Sequence, residues 1–167
     1  WFITPKITYS LTHYNDIKHA RAEIDKSSTR SLPIYSLDTG LIFERNSTVF
    51  GRETEQTLEP RLFYAYIPYR NQRHMPNFDS SSADLNFAEL FTPNKYTGFD
   101  RIANTNQLSA VLTTRYIDSG TGKEWFSATV GQRYYFTDEK VDLYWSNPGK
   151  TKNRSDVLAA SQFSLFE

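Results

Sequence analysis

Hydrophobic and polar residues alternate with period two along several stretches of this chain, most clearly from Thr57 to Gln72, TLEPRLFYAYIPYRNQ. Successive side chains on a strand point to opposite faces, so Leu58, Pro60, Leu62, Tyr64 and Tyr66 share one face. Glu59, Arg61, Phe63, Ala65 and Ile67 share the other. The first face is an apolar band ending in tyrosines; the second carries a carboxylate and a guanidinium near one end. A strand between lipid and a polar interior has this character.

The same reading predicts six strands. The first runs from Trp1 to Tyr14 and alternates Ile3, Pro5, Ile7, Tyr9 and Leu11 against Thr4, Lys6, Thr8 and Ser10. The second follows Pro33, with Tyr35, Leu37, Thr39, Leu41 and Phe43 opposed to Ser36, Asp38, Gly40, Ile42 and Glu44. The third is the Thr57 stretch. The fourth, Asn106–Asp118, aligns Leu108, Ala110, Leu112, Thr114 and Tyr116. The fifth, Glu124–Thr137, aligns Phe126, Ala128, Val130, Tyr134 and Phe136, and the sixth begins at Val157 and reaches Phe166.

Connections alternate in length. Asn15–Arg30, Asn71–Thr105 and Asp138–Ser155 are long and polar. Asn46–Gln56 is shorter, and Ser119–Gly122 (SGTG) is a tight turn. In an antiparallel meander successive loops fall on opposite ends, so all long loops share one end. An unstructured loop the length of Asn71–Thr105 argues against a compact soluble domain, whereas barrels of the outer membrane carry long external loops. Within that loop, Ser81–Asp84 before Leu85, Phe87, Ala88, Leu90 and Phe91 reads as a capping box opening a short helix. Pro148-Gly149 reads as a turn.

The aromatics form two belts. Tyr64, Tyr66, Tyr69, Tyr134 and Phe136 lie at the long-loop end, and Tyr116 and Phe126 at the short-turn end. Pairing Tyr116 with Phe126 across SGTG sets Leu112 opposite Val130 and Leu108 opposite Tyr134, with aliphatic residues between the belts. The fold class expected is all-β: antiparallel up-and-down strands forming part of a large transmembrane barrel wall. Residues 1–167 then make a single segment, and strands open at both ends read as a piece of a longer chain.

Composition sharpens this. Mean hydropathy is low, yet aromatics reach 16% of 167 residues, with 12 Phe and 11 Tyr. A barrel reconciles the two because only alternate residues face lipid; a soluble sugar-binding β-sandwich would also be aromatic-rich. The formal net charge of zero gives no electrostatic footprint for nucleic acid. The absence of cysteine excludes disulfides and thiolate metal sites here, and no run of apolar residues is long enough for a membrane-crossing helix.

Candidate chemistry is sparse. His13, His19 and His74 are scattered without metal-site spacing, and there is no GxSxG, so no catalytic residues, metal or cofactor are expected. The face away from the apolar band collects Lys6, Asp38, Glu44, Glu59, Arg61, Arg115 and Arg133. Mixed signs suit a water-filled or plug-filled lumen in which the charges mainly neutralise one another across strands. Asp79, Asp84, Asp100 and Arg101 in the long loop lack calcium-loop spacing and read as local packing. A porin or solute-receptor barrel remains an alternative, although no segregated acidic and basic constriction is visible. A barrel hydrolase is a further alternative.

TLEPRLFYAYIPYRNQ, NFDSSSADLNFAELF, YTGFDRIANTNQLSAVLTTRYID and FSATVGQRYYF, with LPIYSLDTGLIFERN upstream, resemble the C-terminal barrel of the LptD family, the outer-membrane lipopolysaccharide-assembly (organic solvent tolerance) proteins. The resemblance implies a non-enzymatic role, location in the outer membrane of Gram-negative bacteria, and lipopolysaccharide as the transported substrate. It also implies a lipoprotein plug (LptE) and periplasmic bridge proteins that act through parts absent from this stretch. Members release substrate through a gate between first and last strands; this stretch resembles the middle of the wall.

Overall fold

A computed structural model describes residues 1–15, 27–143 and 152–164. These form one antiparallel sheet: β1 (Phe2–Asn15), β2 (Ser27–Gly40), β3 (Phe43–Val49), β4 (Arg52–Ile67), β5 (Thr105–Asp118), β6 (Glu124–Tyr135) and β7 (Leu158–Phe163). Neighbours follow chain order from β1 to β7, except that β2 and β3 lie in line along the same edge of β4. The all-β, up-and-down expectation holds. The sheet stays open at β1 and β7, consistent with part of a barrel wall.

β2 and β3 are one strand with a gap, and the cause is Pro60. Gly40 pairs with Arg61 and Phe43 with Leu58, so the register is unchanged across Leu41 and Ile42. The Leu41 amide donates to the Pro60 carbonyl at 3.0 Å, but proline has no N–H to return the bond. The ladder is interrupted while side-chain alternation survives.

Several boundaries differ from the sequence reading. The second strand begins at Ser27 rather than after Pro33, because polar Thr29 and Ser31 still pair with β1; His13 Nδ1 lies 2.7 Å from Thr29 Oγ1, and Tyr9 bonds Ser31. Asn46–Gln56 is no loop but a hairpin turning on Phe50 and Gly51, both at positive φ. The fifth strand ends at Tyr135. The expected helix after Ser81 is instead a single 3-10 turn, Glu89–Phe91, whose first amide is capped by Asn86 Oδ1 at 3.0 Å. Ser81 and Ser82 pair with Thr97 and Tyr96 instead. A bulge between Tyr116 and Ile117 was not foreseen. The SGTG turn stands: the Asp118 carboxylate accepts from the Gly120 and Thr121 amides, and Gly122 takes φ +71. His19, the Pro148-Gly149 turn, most of the Asn15–Arg30 connection and the end of the sixth strand lie outside the described residues.

The core does not lie within the sheet but between one of its faces and the segment from Pro68 to Asn104. Leu90, fully buried, sits over Gly131, where a Cβ would come 2.7 Å from Leu90 Cδ1 and 3.0 Å from Val111 Cγ2. Phe91 packs edge-on against Phe63, ring centres 6.2 Å apart. Leu32, Ile67 and Ile102 form one buried cluster, and Tyr96, Ala103, Val141 and Leu143 another. Tyr96, buried and beside Glu139, has its hydroxyl pKa raised, first by burial and then by that carboxylate.

Leu90→Ala should cost about 2–4 kcal/mol through the cavity it leaves. Gly131→Ala alone should loosen the loop by crowding Leu90, while the two changes together should do less harm than their sum. Limited proteolysis between Asn71 and Asn104, with unfolding midpoints of the native protein and the three variants, checks this; strict additivity would remove the socket.

Candidate functional site

The two faces of the sheet differ in every respect that matters chemically. One is bare. Its central row, in register across the strands, is Leu41, Pro60, Leu112, Val130 and Ala159. Rows toward the long-loop end carry Leu37, Tyr64, Leu108 and Tyr134, then Ile7, Tyr35 and Tyr66. Ile7, Leu58, Leu62, Leu112 (41% exposed) and Val130 all lie open. A continuous apolar surface of this kind in water would be an association hazard. Nothing among the described residues covers it.

Tyr64, Tyr66 and Tyr134 are on the bare face at the long-loop end, with the Tyr66 ring tilted beside Tyr35, centres 6.3 Å apart. Tyr69 and Phe136 are exposed just beyond the strands. Tyr116 pairs with Phe126, and Phe126 with Phe163, at the turn end. Sequence reasoning missed Trp125, which the bulge brings against them, 5.4 Å from Tyr116 and 6.0 Å from Phe163. A bulge places two consecutive residues against one partner, which simple alternation does not anticipate.

The opposite face mixes charged side chains with buried apolar ones, Phe63, Ala65, Ile67 and Val111, and the inward Pro68–Asn104 segment covers part of it. Lys6, Asp38, Glu44, Glu59, Arg61, Arg115 and Arg133 all lie on it by register. Arg61 grips Asp38 with two nitrogens, Nε to Oδ1 at 2.9 Å and Nη2 to Oδ2 at 2.5 Å, while its guanidinium stacks 3.8 Å from the Phe91 ring centre. Arg115 bridges Glu59 (3.0 Å) and Glu124 (3.1 Å); Glu124 was not among the expected residues. All three pairings are diagonal, two residues removed from direct opposition. Arg133 is buried and donates to the Glu89 carbonyl and to Ser109 Oγ, which ties β6 to the 3-10 turn. Lys6 and Glu44 remain exposed.

The inward segment is held by side chains with no periodic signature. Buried Arg30 donates to Gln72 Oε1 (2.8 Å) and to the carbonyls of Asp100 and Phe99 (each 2.6 Å). Gln72 in turn donates to the Ile102 carbonyl. Arg101, 1% exposed, donates to the carbonyls of Met75 and Pro76, and its burial lowers its pKa. Asp79 and Asp100 accept from each other's neighbourhoods: Asp79 Oδ1 from the Phe99 and Asp100 amides, Asp100 Oδ2 from the Phe78 and Asp79 amides. Gly98, at φ +74, allows this approach, since a Cβ there would meet Asp79 at 2.6 Å. Asp84 takes no part beyond a carbonyl accepting from Asn86. The described residues hold no group of side chains suited to a metal ion.

Burial pushes the Asp100 carboxyl up, but hydrogen bonds from Tyr14 and from the Phe78 and Asp79 amides outweigh it, and the net pKa is lowered. A carboxyl held below its unfolded value contributes stability that is fully present above about pH 4 and lost as pH falls through the folded pKa. Amide protection factors across Phe78–Ile102, corrected for the intrinsic pH dependence of exchange, should therefore fall below about pH 4 in the native protein. Asp100→Asn should exchange faster at neutral pH and lose the acid step; an unchanged acid step would assign it to another carboxyl.

A family model described as "LptD: LPS transport system D" matches residues 1–167. LPS-assembly protein LptD of Aromatoleum aromaticum is 49% identical over 160 residues, covering 96% of this chain and 20% of that protein. The namesakes in Paraburkholderia xenovorans and Bordetella pertussis are 44% and 43% identical, covering 99% and 100% of this chain and 21% and 22% of theirs. The chain thus spans about a fifth of the length of the curated relatives it matches. On this evidence the chain belongs to the LptD family.

Proposed function

We propose that this chain is a wall segment of the outer-membrane translocon that inserts lipopolysaccharide into the outer leaflet in Gram-negative bacteria, and that it acts as a conduit and not as an enzyme. The observation that carries the reading is the contrast between the faces: a bare apolar face bounded by aromatic rings, and a charge-bearing face partly covered by an inward segment. In this reading the bare face meets lipid. The covered face lines the lumen, and Lys6, Asp38, Glu44, Glu59, Arg61, Arg115 and Arg133 are its charged lining.

Family membership supports the substrate, since the relatives are named as LPS-assembly proteins. The lumen charges are largely consumed by one another. Asp38 pairs with Arg61, and Glu59 and Glu124 with Arg115, while the exposed Lys6 and Glu44 are of opposite sign, so the wall offers passing saccharide a mixed polar surface and not an anion track. Partners in this reading are lipopolysaccharide, the plug lipoprotein LptE and membrane lipid, with bridge proteins engaging other parts of the full-length protein.

Leu112, in the central bare row, and Thr113, whose hydroxyl lies 3.0 Å from Thr129 Oγ1 on the covered face, are adjacent in sequence and opposite in orientation. In the full-length protein Leu112→Arg should cost about 2–4 kcal/mol and sharply lower assembly in the membrane, while Thr113→Arg should be tolerated. Equal losses would mean that the faces are assigned wrongly. A photo-crosslinker at position 113 or 115 should reach lipopolysaccharide or the plug, one at 112 should not, and one at buried 133 should be captured by the covering segment itself. Lipopolysaccharide captured from 112 alone would reverse the orientation.

A further inference from the structure

The tip of the β3–β4 hairpin carries an unusual residue for its conformation. Phe50 and Gly51 are the two central turn residues, at φ +51 and +76, and Phe50 is the one non-glycine residue at positive φ among those described. A two-residue hairpin turn of this kind favours Asn, Asp or Gly at both positions, and a bulky side chain there is strained. The turn alone gives no reason for a phenylalanine, and the residue is 90% exposed.

The ring is nonetheless aimed. It meets Trp125 edge-on at 6.5 Å, and Trp125 adjoins Tyr116, Phe126 and Phe163, which form the last row of the bare face on the turn side. On β3 and β4 that same row is polar: Arg45 donates to Gln56, and Gln56 to the Tyr116 hydroxyl. The aromatic row therefore stops at β5, and the hairpin tip returns a ring to it from beyond the polar residues.

We propose that Phe50 is a membrane anchor, seated with the Trp125 cluster in the headgroup region of the leaflet on the turn side, where aromatic side chains of membrane proteins concentrate. The occupant of this surface is phospholipid. Continuity with the bare face, and the absence of charge among the rings that Phe50 joins, favour lipid over a protein partner. The inference rests on the reading of the bare face as lipid-facing.

The test uses full-length protein in membranes. A photo-crosslinker at position 50 should yield phospholipid adducts by mass spectrometry, as should one at position 112, with none from 113. Adducts at 112 but only protein adducts, or none, at 50 would overturn the anchor and leave the wall reading standing. Lipid adducts at neither 50 nor 112 would overturn both. As a second measurement, Phe50→Asn relieves the turn, so folding is not endangered. If Phe50 anchors, Asn should nevertheless lower the folded fraction in phospholipid vesicles by about threefold, while Phe50→Trp retains it. An Asn variant assembling as well as or better than the native protein would contradict the proposal.

Discussion

The structure depends on the alternation of side chains remaining unbroken across every strand pair. Because the period is two, a slip of one residue at any pair would carry apolar residues onto the covered face and charges onto the bare one. The strongest threat is Pro60, which removes a ladder hydrogen bond in the middle of the sheet, yet Gly40–Arg61 and Phe43–Leu58 keep the same register on either side. The bulge at Tyr116–Ile117 is harmless by comparison because it falls at the end of β5, after the last aliphatic row. Irregularity is tolerated where it costs a hydrogen bond or lies at a margin.

Given that register, the covered face becomes a shaped surface. One of its rows reads Phe2, Gly40, Arg61, Val111, Gly131. The glycines are hollows: the Phe2 ring lies over Gly40, and Leu90 fills the space over Gly131. Between them Arg61 stands up, clamped by Asp38 and roofed by Phe91. Docking of the Pro68–Asn104 segment is thus written into the wall as one open hollow, over Gly131, and a post, Arg61, and Arg30 and Arg133 fasten its two sides.

How much of this was legible in the sequence follows from the physics of each part. The faces and the β5–β6 register follow from period two and one clear turn, since a single fixed pair propagates along a ladder. The β3–β4 hairpin was hidden because Phe50 is not a turn former, and a lone Gly51 is a weak signal. Ser27–Arg30 looked like loop because a strand above the apolar band needs no apolar residues. Trp125 was invisible to alternation because a bulge suspends it. The inward fold of the long loop could not be read at all: it depends on Arg30, Gln72 and Gly131, far apart in sequence and carrying no pattern. The charged set on the covered face was legible as a set, but its partners were not, since diagonal pairing brought in Glu124 and left Lys6 and Glu44 exposed.

The fastening of the loop has a consequence for the order in which the protein forms. Arg30 reaches Asp100 across 70 positions of chain, and Arg133 reaches Glu89 across 44. The first latch requires β2 to be paired, and the second requires β6, so the segment between β4 and β5 cannot settle until strands synthesised on both sides of it are in register. Such long-range closures come late in folding. A wall paired one residue out of step would turn Arg30, Arg133 and Gly131 to the other face and leave the loop neither hollow nor latch.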